Sequence, residues 1–391
     1  MKFKLSFGLC LATLAMSFVT AQAQIPCGPT ITPLPTLSVN WPQYRFDAAR
    51  SGCNPYESIL NTNTVGNLTL KWTFPANLPI YASPVVANGT AYVASYGDLF
   101  SVDVNTGEFL WGFWPYGSID ASPVVANGVV YVGSDGSPYN LFALNARTGD
   151  VLWQAKTSSP VSKDGAIALA NGVLYIAADN GVEARDANTG ALLWQQSLLT
   201  SSGLAVADGM VYVSTESYSV CGLDAGTGKV LWTYYTGYNW YPSTPAAVNN
   251  VVYAGTGESH LLALNAKTGK LIWKAATDGA VNFPPAVANG VLYVATGTGI
   301  SSGYLEALTA STGALIWEYG IGDQTRAPVV ANGVVYGGAP NDFWAFDAAT
   351  GQFLWGYPTG GAVYSSPAVA NGVLYGTSAD SNLYAFGLPG H

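Results

Sequence analysis

Short valine-rich apolar runs flank a two-residue polar turn eight times along this chain. The turns begin at Asn88, Asn127, Asn171, Asp208, Asn249, Asn289, Asn332 and Asn371, and Gly follows in all but one copy, where Asn250 stands instead. Asn-Gly between apolar runs predicts a β-hairpin with a type I′ turn, because both central residues need positive φ. Four residues after each turn begins stands a tyrosine: Tyr92, Tyr131, Tyr175, Tyr212, Tyr253, Tyr293, Tyr336 and Tyr375. Four residues before it, six copies carry a proline (Pro84, Pro123, Pro245, Pro285, Pro328, Pro367), which suits the start of a strand where no ladder N–H is needed.

A second pattern interleaves with the first. Thr-Gly-x-x-x-Trp recurs at Thr106…Trp111, Thr148…Trp153, Thr189…Trp194, Thr227…Trp232, Thr268…Trp273, Thr312…Trp317 and Thr350…Trp355, and Trp72 precedes the series. The spacing is about 40 residues, the length of a propeller blade. Each period predicts four strands, A to D. In the second copy they are residues 122–126, 129–133, 141–145 and 151–154, the last carrying Trp153. The Asp or Asn three residues before Thr-Gly, such as Asp103 and Asn145, is placed to bond its own turn backbone. The recurring Trp and Tyr are expected to pack between neighbouring blades.

The ends of the series predict how the ring closes. The last copy has strands A, B and C but no Thr-Gly-x-x-x-Trp, whereas residues 68–74, with Trp72, form a D strand without partners. Together they complete one blade. The expected fold is all-β: an eight-bladed β-propeller of four-stranded antiparallel blades, closed by an N-terminal outer strand that leaves no sheet edge open.

Composition agrees: of 391 residues only 9% are charged, 49% are hydrophobic and 45 are Gly. The first residues carry a different signal. Lys2 and Lys4 precede an apolar stretch, and Ala21-Gln22-Ala23 reads as a cleavage site, so residues 1–23 are expected to be a signal peptide. Residues 24–66 then form an N-terminal crossing segment and 67–391 the propeller. The expected location is periplasmic or secreted, with no transmembrane segment. Neither Cys10 nor Cys27 is preceded by a small residue, so no lipid anchor is expected. Removing two lysines and no acids takes the net charge from −9 to −11 (−9 − 2), which disfavours a nucleic acid partner. Of the remaining cysteines, Cys27 and Cys53 are the plausible disulfide pair, and Cys221, in an apolar strand slot, is expected to be a buried free thiol.

The Asn-Gly-Val-Val/Leu-Tyr and Leu-x-Ala-Leu-Asn/Asp-Ala-x-Thr-Gly-x-x-Leu-Trp patterns, clearest at residues 127–153, resemble the repeat of pyrroloquinoline quinone (PQQ) propellers over roughly residues 41–391. The lead-in, with Trp41-Pro42-Gln43-Tyr44, Asp47, Arg50, Asn54-Pro55 and Val65-Gly66-Asn67-Leu68, resembles the crossing segment of quinoprotein alcohol dehydrogenases and polyvinyl alcohol dehydrogenases. The same superfamily includes the scaffold propeller of outer-membrane β-barrel assembly, which binds no quinone. The resemblance therefore implies the fold and leaves two functions open.

By that resemblance, ligands lie on the face formed by the D–A and B–C loops. The channel mouth is expected at Tyr81, Asp120, Asp164, Ser201, Pro242, Asn282, Thr325 and Tyr364, with Lys163 and Arg326 nearby. Asp120 and Asp164, on adjacent blades, are the candidate Ca²⁺ ligands. Trp114 and Trp240, with Arg326 and Lys163, are the candidates for holding PQQ. The adjacent Cys-Cys pair of many quinoprotein alcohol dehydrogenases is absent, as is any Cys-x-x-Cys-His haem site, and the D–A loops vary little in length. The sequence thus favours an exported, non-catalytic binding or assembly propeller with a protein or glycan partner on the D–A/B–C face. The alternative is a PQQ- and Ca²⁺-dependent oxidoreductase acting on alcohols or sugars.

Overall fold

A computed structural model describes residues 40–161, 165–237, 241–297, 303–322 and 326–390. The expected signal peptide and Cys27 lie outside the described residues. The chain forms eight four-stranded antiparallel sheets. Blade 2 shows the plan: Val124–Ala126 innermost, then Val129–Gly133, Leu141–Asn145 and Val151–Ala155 outermost. Blade 8 is composite: Ala368–Ala370, Val373–Thr377 and Asn382–Gly387 come from the C-terminus, and the outer strand Thr69–Pro75 comes from the N-terminus.

The hairpin residues do what their chemistry requires. Asn127 and Gly128 have φ of 51° and 76°, and the equivalent pairs match them, including Asn249 at 53° and Asn250 at 62°. The Asp or Asn before six of the seven Thr-Gly turns accepts from the following backbone: Asp103 Oδ1 takes the N–H of Asn105 and of Thr106.

Each Trp locks its blade to the next. In seven of the eight its indole N–H donates to a carbonyl of the following blade's C–D turn, as in Trp72 to Val104, Trp111 to Ala146 and Trp153 to Ala187 (all 3.0 Å). The ring lies flat against the turn glycine; a Cβ on Gly149 would stand 2.7 Å from Trp111. Between blades the cores are apolar. Leu99 of blade 1 packs with Val130 and Phe142 of blade 2, and burying one such side chain stabilises by about 1.5–3 kcal/mol.

The register of the outer strand pair shifts in every blade, next to the Trp, as between Val151 and Trp153. This bulge turns the Trp towards the next blade. It leaves the two preceding aliphatic residues outside: Leu192 is 49% exposed and Leu193 54%.

The crossing segment is a strap through the channel that bonds to all eight blades in turn. Trp41 pairs with Val86 of blade 1, and Pro42 O accepts from Val125 of blade 2. Gln43 Oε1 accepts from Leu169 of blade 3. Ala48, Ala49, Ser51 and Gly52 carbonyls accept from Val206, Ala247, Val287 and Val330 of blades 4 to 7. Asn54 Nδ2 donates to Val369 O of blade 8. Cys53–Asn54 also runs parallel to Val329–Ala331, the inner strand of blade 7. Every bond satisfies an inner-strand group that would otherwise face an empty channel.

Candidate functional site

The strap determines where a ligand can sit. Arg50 is fully buried and donates to the carbonyls of Tyr44, Gly165, Ile167 and Leu204. Arg45, also fully buried, donates to Pro328 O at 2.8 Å. Asp47 lies close to both charges and accepts from the backbone N–H and hydroxyl of Ser51 at 2.9 and 2.6 Å. Burial pushes the Asp47 carboxyl up, opposed by the Ser51 bonds and by Arg50 and Arg45. Arg50 also lies over the Tyr44 ring, 5.4 Å from its centroid, and that ring packs against Gly165 of blade 3.

Above Tyr44 is a cavity of about 370 Å³, lined by Tyr81, Asp120, Ser201, Thr244, Asn282, Phe283, Arg326 and Tyr364 among others. It is at the small end of the range for ligand pockets. Tyr44 belongs to the strap, so the pocket is blind on that side. The other named residues come from the D–A loops or the starts of the inner strands that follow them, so the mouth opens on the D–A/B–C face.

The lining carries both signs of polarity. Asp120 makes no hydrogen bond or ion pair among the described residues. Its carboxyl is raised above the ordinary Asp value, first by burial and then by the charge of Asp135. The Ser201 hydroxyl is buried and has no partner. Opposite in character stands the Arg326 guanidinium, 4.7 Å from the ring centroids of both Phe283 and Tyr364. Tyr364 in turn packs on Tyr81, with centroids 5.6 Å apart.

Of the residues singled out by sequence, Tyr81, Asp120, Ser201, Asn282, Tyr364 and Arg326 therefore share one pocket. Trp114 does not line it: its ring lies over Gly112 of its own outer strand and is 62% exposed. Lys163, Asp164, Trp240 and Thr325 lie outside the described residues. The pattern of slots missed Tyr44, which comes from the strap, and Phe283, which is one residue past the Asn282 slot.

Of the residues expected to hold a quinone and a cation, the described lining contains Asp120 and Arg326, while Lys163, Asp164 and Trp240 lie outside the described residues. Asp120 is the described lining's one carboxylate, whereas Ca²⁺ takes six to eight oxygen ligands. Among the described residues, no group of three His, Cys, Asp or Glu could hold a metal. Among the described residues the lining includes no Trp, and Arg326 is its one cation. Cys221 is a buried free thiol in blade 4, and Cys53 is disulfide-bonded within the strap.

Beyond the pocket, the face around it is aromatic. Among the described residues the exposed Tyr and Trp are Tyr81, Tyr96, Trp114, Tyr116, Tyr139, Tyr235, Tyr241 and Tyr319. Six lie in D–A or B–C loops, and Tyr235 and Tyr319 lie near the ends of outer strands leading into D–A loops. Among the described residues the opposite face exposes none of either type. No helix among the described residues is long and apolar enough to cross a membrane.

A ring of eight such blades, seven of whose Trp residues seat on the next blade's Thr-Gly turn, defines a β-propeller of the PQQ-repeat class. Within it, the chain belongs to the family described as outer membrane protein assembly factor BamB, whose model matches residues 69–203, 143–239, 237–319 and 301–388. It is similar to the dehydrogenase subunit of alcohol dehydrogenase (quinone) from Gluconobacter oxydans, 29% identical over 48% of this chain and 29% of that one. It is also similar to outer membrane protein assembly factor BamB of Pseudomonas aeruginosa, 33% identical over 23% of this chain and 26% of that one. The matched segments thus span less than a third of either relative's length. Among solved structures, BamB from Moraxella catarrhalis superposes with a TM-score of 0.70 at 19% identity, covering 82% of this chain and all of that one. Quinohemoprotein alcohol dehydrogenase from Comamonas testosteroni gives 0.75 at 17% identity, covering 90% of this chain and 81% of that one. Those two likenesses speak for the fold.

Proposed function

We propose that this chain is an exported, non-catalytic binding propeller that presents its D–A/B–C face to a partner, a protein or a glycan. The observation that carries this reading is the confinement of exposed Tyr and Trp to that face. Such side chains give large contact area at low entropic cost and keep a polar tip for hydrogen bonds. The small pocket and its lone described carboxylate support binding rather than turnover. A photo-crosslinking amino acid in place of Tyr116, and separately in place of Gln352 on the opposite face, tests it in the cell envelope of the source organism. Adducts formed from position 116 and not from 352 are expected. Adducts from 352 alone, or from neither, would reject the proposed face.

Asp120 and Arg326 sharing a pocket is the one observation that favours the quinone-dependent reading, and the likeness to an alcohol dehydrogenase (quinone) subunit agrees with it. A thermal melt with PQQ and Ca²⁺ decides. Ligand at 100 times its dissociation constant adds about 2.7 kcal/mol of stability, a readable rise in midpoint. No rise is expected; a rise abolished by Asp120→Ala would establish the second reading.

A further inference from the structure

We infer that the central pocket is a saccharide subsite, built to take the end of a neutral sugar chain that lies on the aromatic face. The inference rests on the binding reading above and narrows it.

The lining presents polar groups of several kinds to whatever fills the cavity. The half-buried Asp120 carboxylate and the buried Ser201 hydroxyl have no protein partner among the described residues, so both can bond to a ligand. Asp120 accepts only; Ser201 can donate and accept; Asn282 offers an amide of both kinds; the Arg326 guanidinium only donates. The matching ligand presents several groups that each donate and accept, which describes vicinal hydroxyls.

Two other ligand classes match less well. A cationic amine would pair with Asp120, but it would share the cavity with the guanidinium of Arg326, which already stands between Phe283 and Tyr364. A small anion would seek Arg326, but it would share the cavity with the unpaired Asp120. A neutral polyol meets both charges without adding a third.

The rings complete the match. Tyr81 and Tyr364 pack together at the mouth, and Tyr81 is 42% exposed, so a ring face is open to the C–H face of a pyranose. Farther out, Tyr218 and Tyr241 stack 5.3 Å apart and only 14° from parallel, a second flat surface on the same face. Because the strap beneath the pocket bonds to the inner strands of all eight blades, a chain cannot pass through the channel. The pocket takes a terminus, and the remaining units run outwards over the rim.

The test is calorimetric titration of the mature chain with cellohexaose, maltohexaose and chitohexaose, at pH 7 and again near pH 4. At least one is expected to bind with a submillimolar dissociation constant. Asp120→Asn, Ser201→Ala and Tyr364→Ala are each expected to weaken it by about tenfold, the loss that follows from one hydrogen bond or stacking contact. Wild-type affinity should fall at the lower pH, and that of Asp120→Asn should change less. Thermal midpoints of the variants separate lost binding from lost folding, and Ser201→Ala, which removes only an unpartnered atom, keeps the test alive if the others unfold. Absence of binding to all three sugars overturns the inference. So does binding that survives all three pocket substitutions; if that binding is lost on Trp114→Ala with Tyr116→Ala, the binding face stands and the pocket subsite falls.

Discussion

Trp355 donates its indole N–H to the carbonyl of Leu68, 3.1 Å away and 287 residues earlier in the chain. In every other blade the receiving carbonyl belongs to a C–D turn. Blade 8 has no such turn, because its outer strand arrives from the N-terminus, and the residue just before that strand takes the role. Trp355→Phe keeps an aromatic ring and leaves a buried carbonyl unpaired, an expected loss of about 1–3 kcal/mol. Trp232→Phe, which breaks the equivalent bond to Ala266 inside the ring, should cost a similar amount in a urea melt. The two differ in hydrogen exchange: only Trp355→Phe should speed exchange along Thr69–Pro75. Equal protection in both variants would mean that the Trp355 bond does not hold the closure.

Two glycines separate backbone strain from packing. Gly128 and Gly149 have nearly equal φ, 76° and 78°, but a Cβ on Gly128 meets nothing within 4 Å, while one on Gly149 meets the Trp111 ring at 2.7 Å. Gly128→Ala should cost about 1–2 kcal/mol from left-handed strain alone. Gly149→Ala should cost clearly more, since Trp111 must leave its seat. Equal losses by denaturant melts would show that the Trp seat contributes nothing beyond the hydrogen bond.

The blades were legible because each rests on residues whose chemistry admits few alternatives. Asn371-Gly372 fits a type I′ turn, and Trp153 and Gly190 recur in register because one seats on the other. The orphan strand at residues 68–74 and the truncated last copy implied closure for the same reason. Other features were not legible, for physical reasons. Val151-Leu152-Trp153 reads as a buried run, yet Leu152 is 52% exposed because a bulge turns the Trp away from the aliphatic pair. The strap has no period, and its bonds run to eight separate strands, so nothing in its sequence shows that Arg50 collects four carbonyls. The pocket was half legible: slots counted back from the prolines found Asp120 and Tyr364, but Tyr44 enters from the strap. Trp114, an expected quinone platform, folds back over Gly112, where a missing Cβ leaves room for its ring.

The strap depends on Arg50. Four carbonyls, from Tyr44, Gly165, Ile167 and Leu204, accept from its guanidinium, and its charge is one of the influences that oppose the upward push of burial on Asp47. Arg50→Met fills similar volume but strands these groups in a buried site. The expected loss is about 3–5 kcal/mol. Limited proteolysis should then cut within residues 41–54 before it cuts the blades. Cleavage of the blades first, with the strap intact, would refute its dependence on Arg50.

The cysteines differ in accessibility to chemistry. Cys53 is disulfide-bonded and Cys221 is a buried free thiol whose pKa burial pushes up, which suppresses the reactive thiolate. A non-reducing peptide map should join Cys53 to Cys27, the partner expected from sequence. Iodoacetamide should modify Cys221 only after denaturation. Alkylation of Cys221 in the native protein at pH 7, or a peptide linking it to Cys53, would refute this assignment.

Asp120 and Asp135 make the last prediction one of pH. Burial and then the charge of Asp135 raise the folded-state pKa of Asp120 above its unfolded value. Between those two values the folded chain binds the additional proton, so this group's contribution to stability falls as pH rises from about 4 through the raised pKa. Asp120→Asn cannot ionise and should lack that fall, so its thermal midpoint should gain on the wild type across the window. Asp135→Asn removes the smaller of the two causes. It should shift the Asp120 midpoint downwards without restoring the ordinary value, because burial remains. Carboxyl-carbon NMR titration of Asp120 in wild type and Asp135→Asn reads both effects directly. An Asp120 midpoint at or below the ordinary value would mean that the carboxyl has a partner, or more solvent access than its half-buried position gives it.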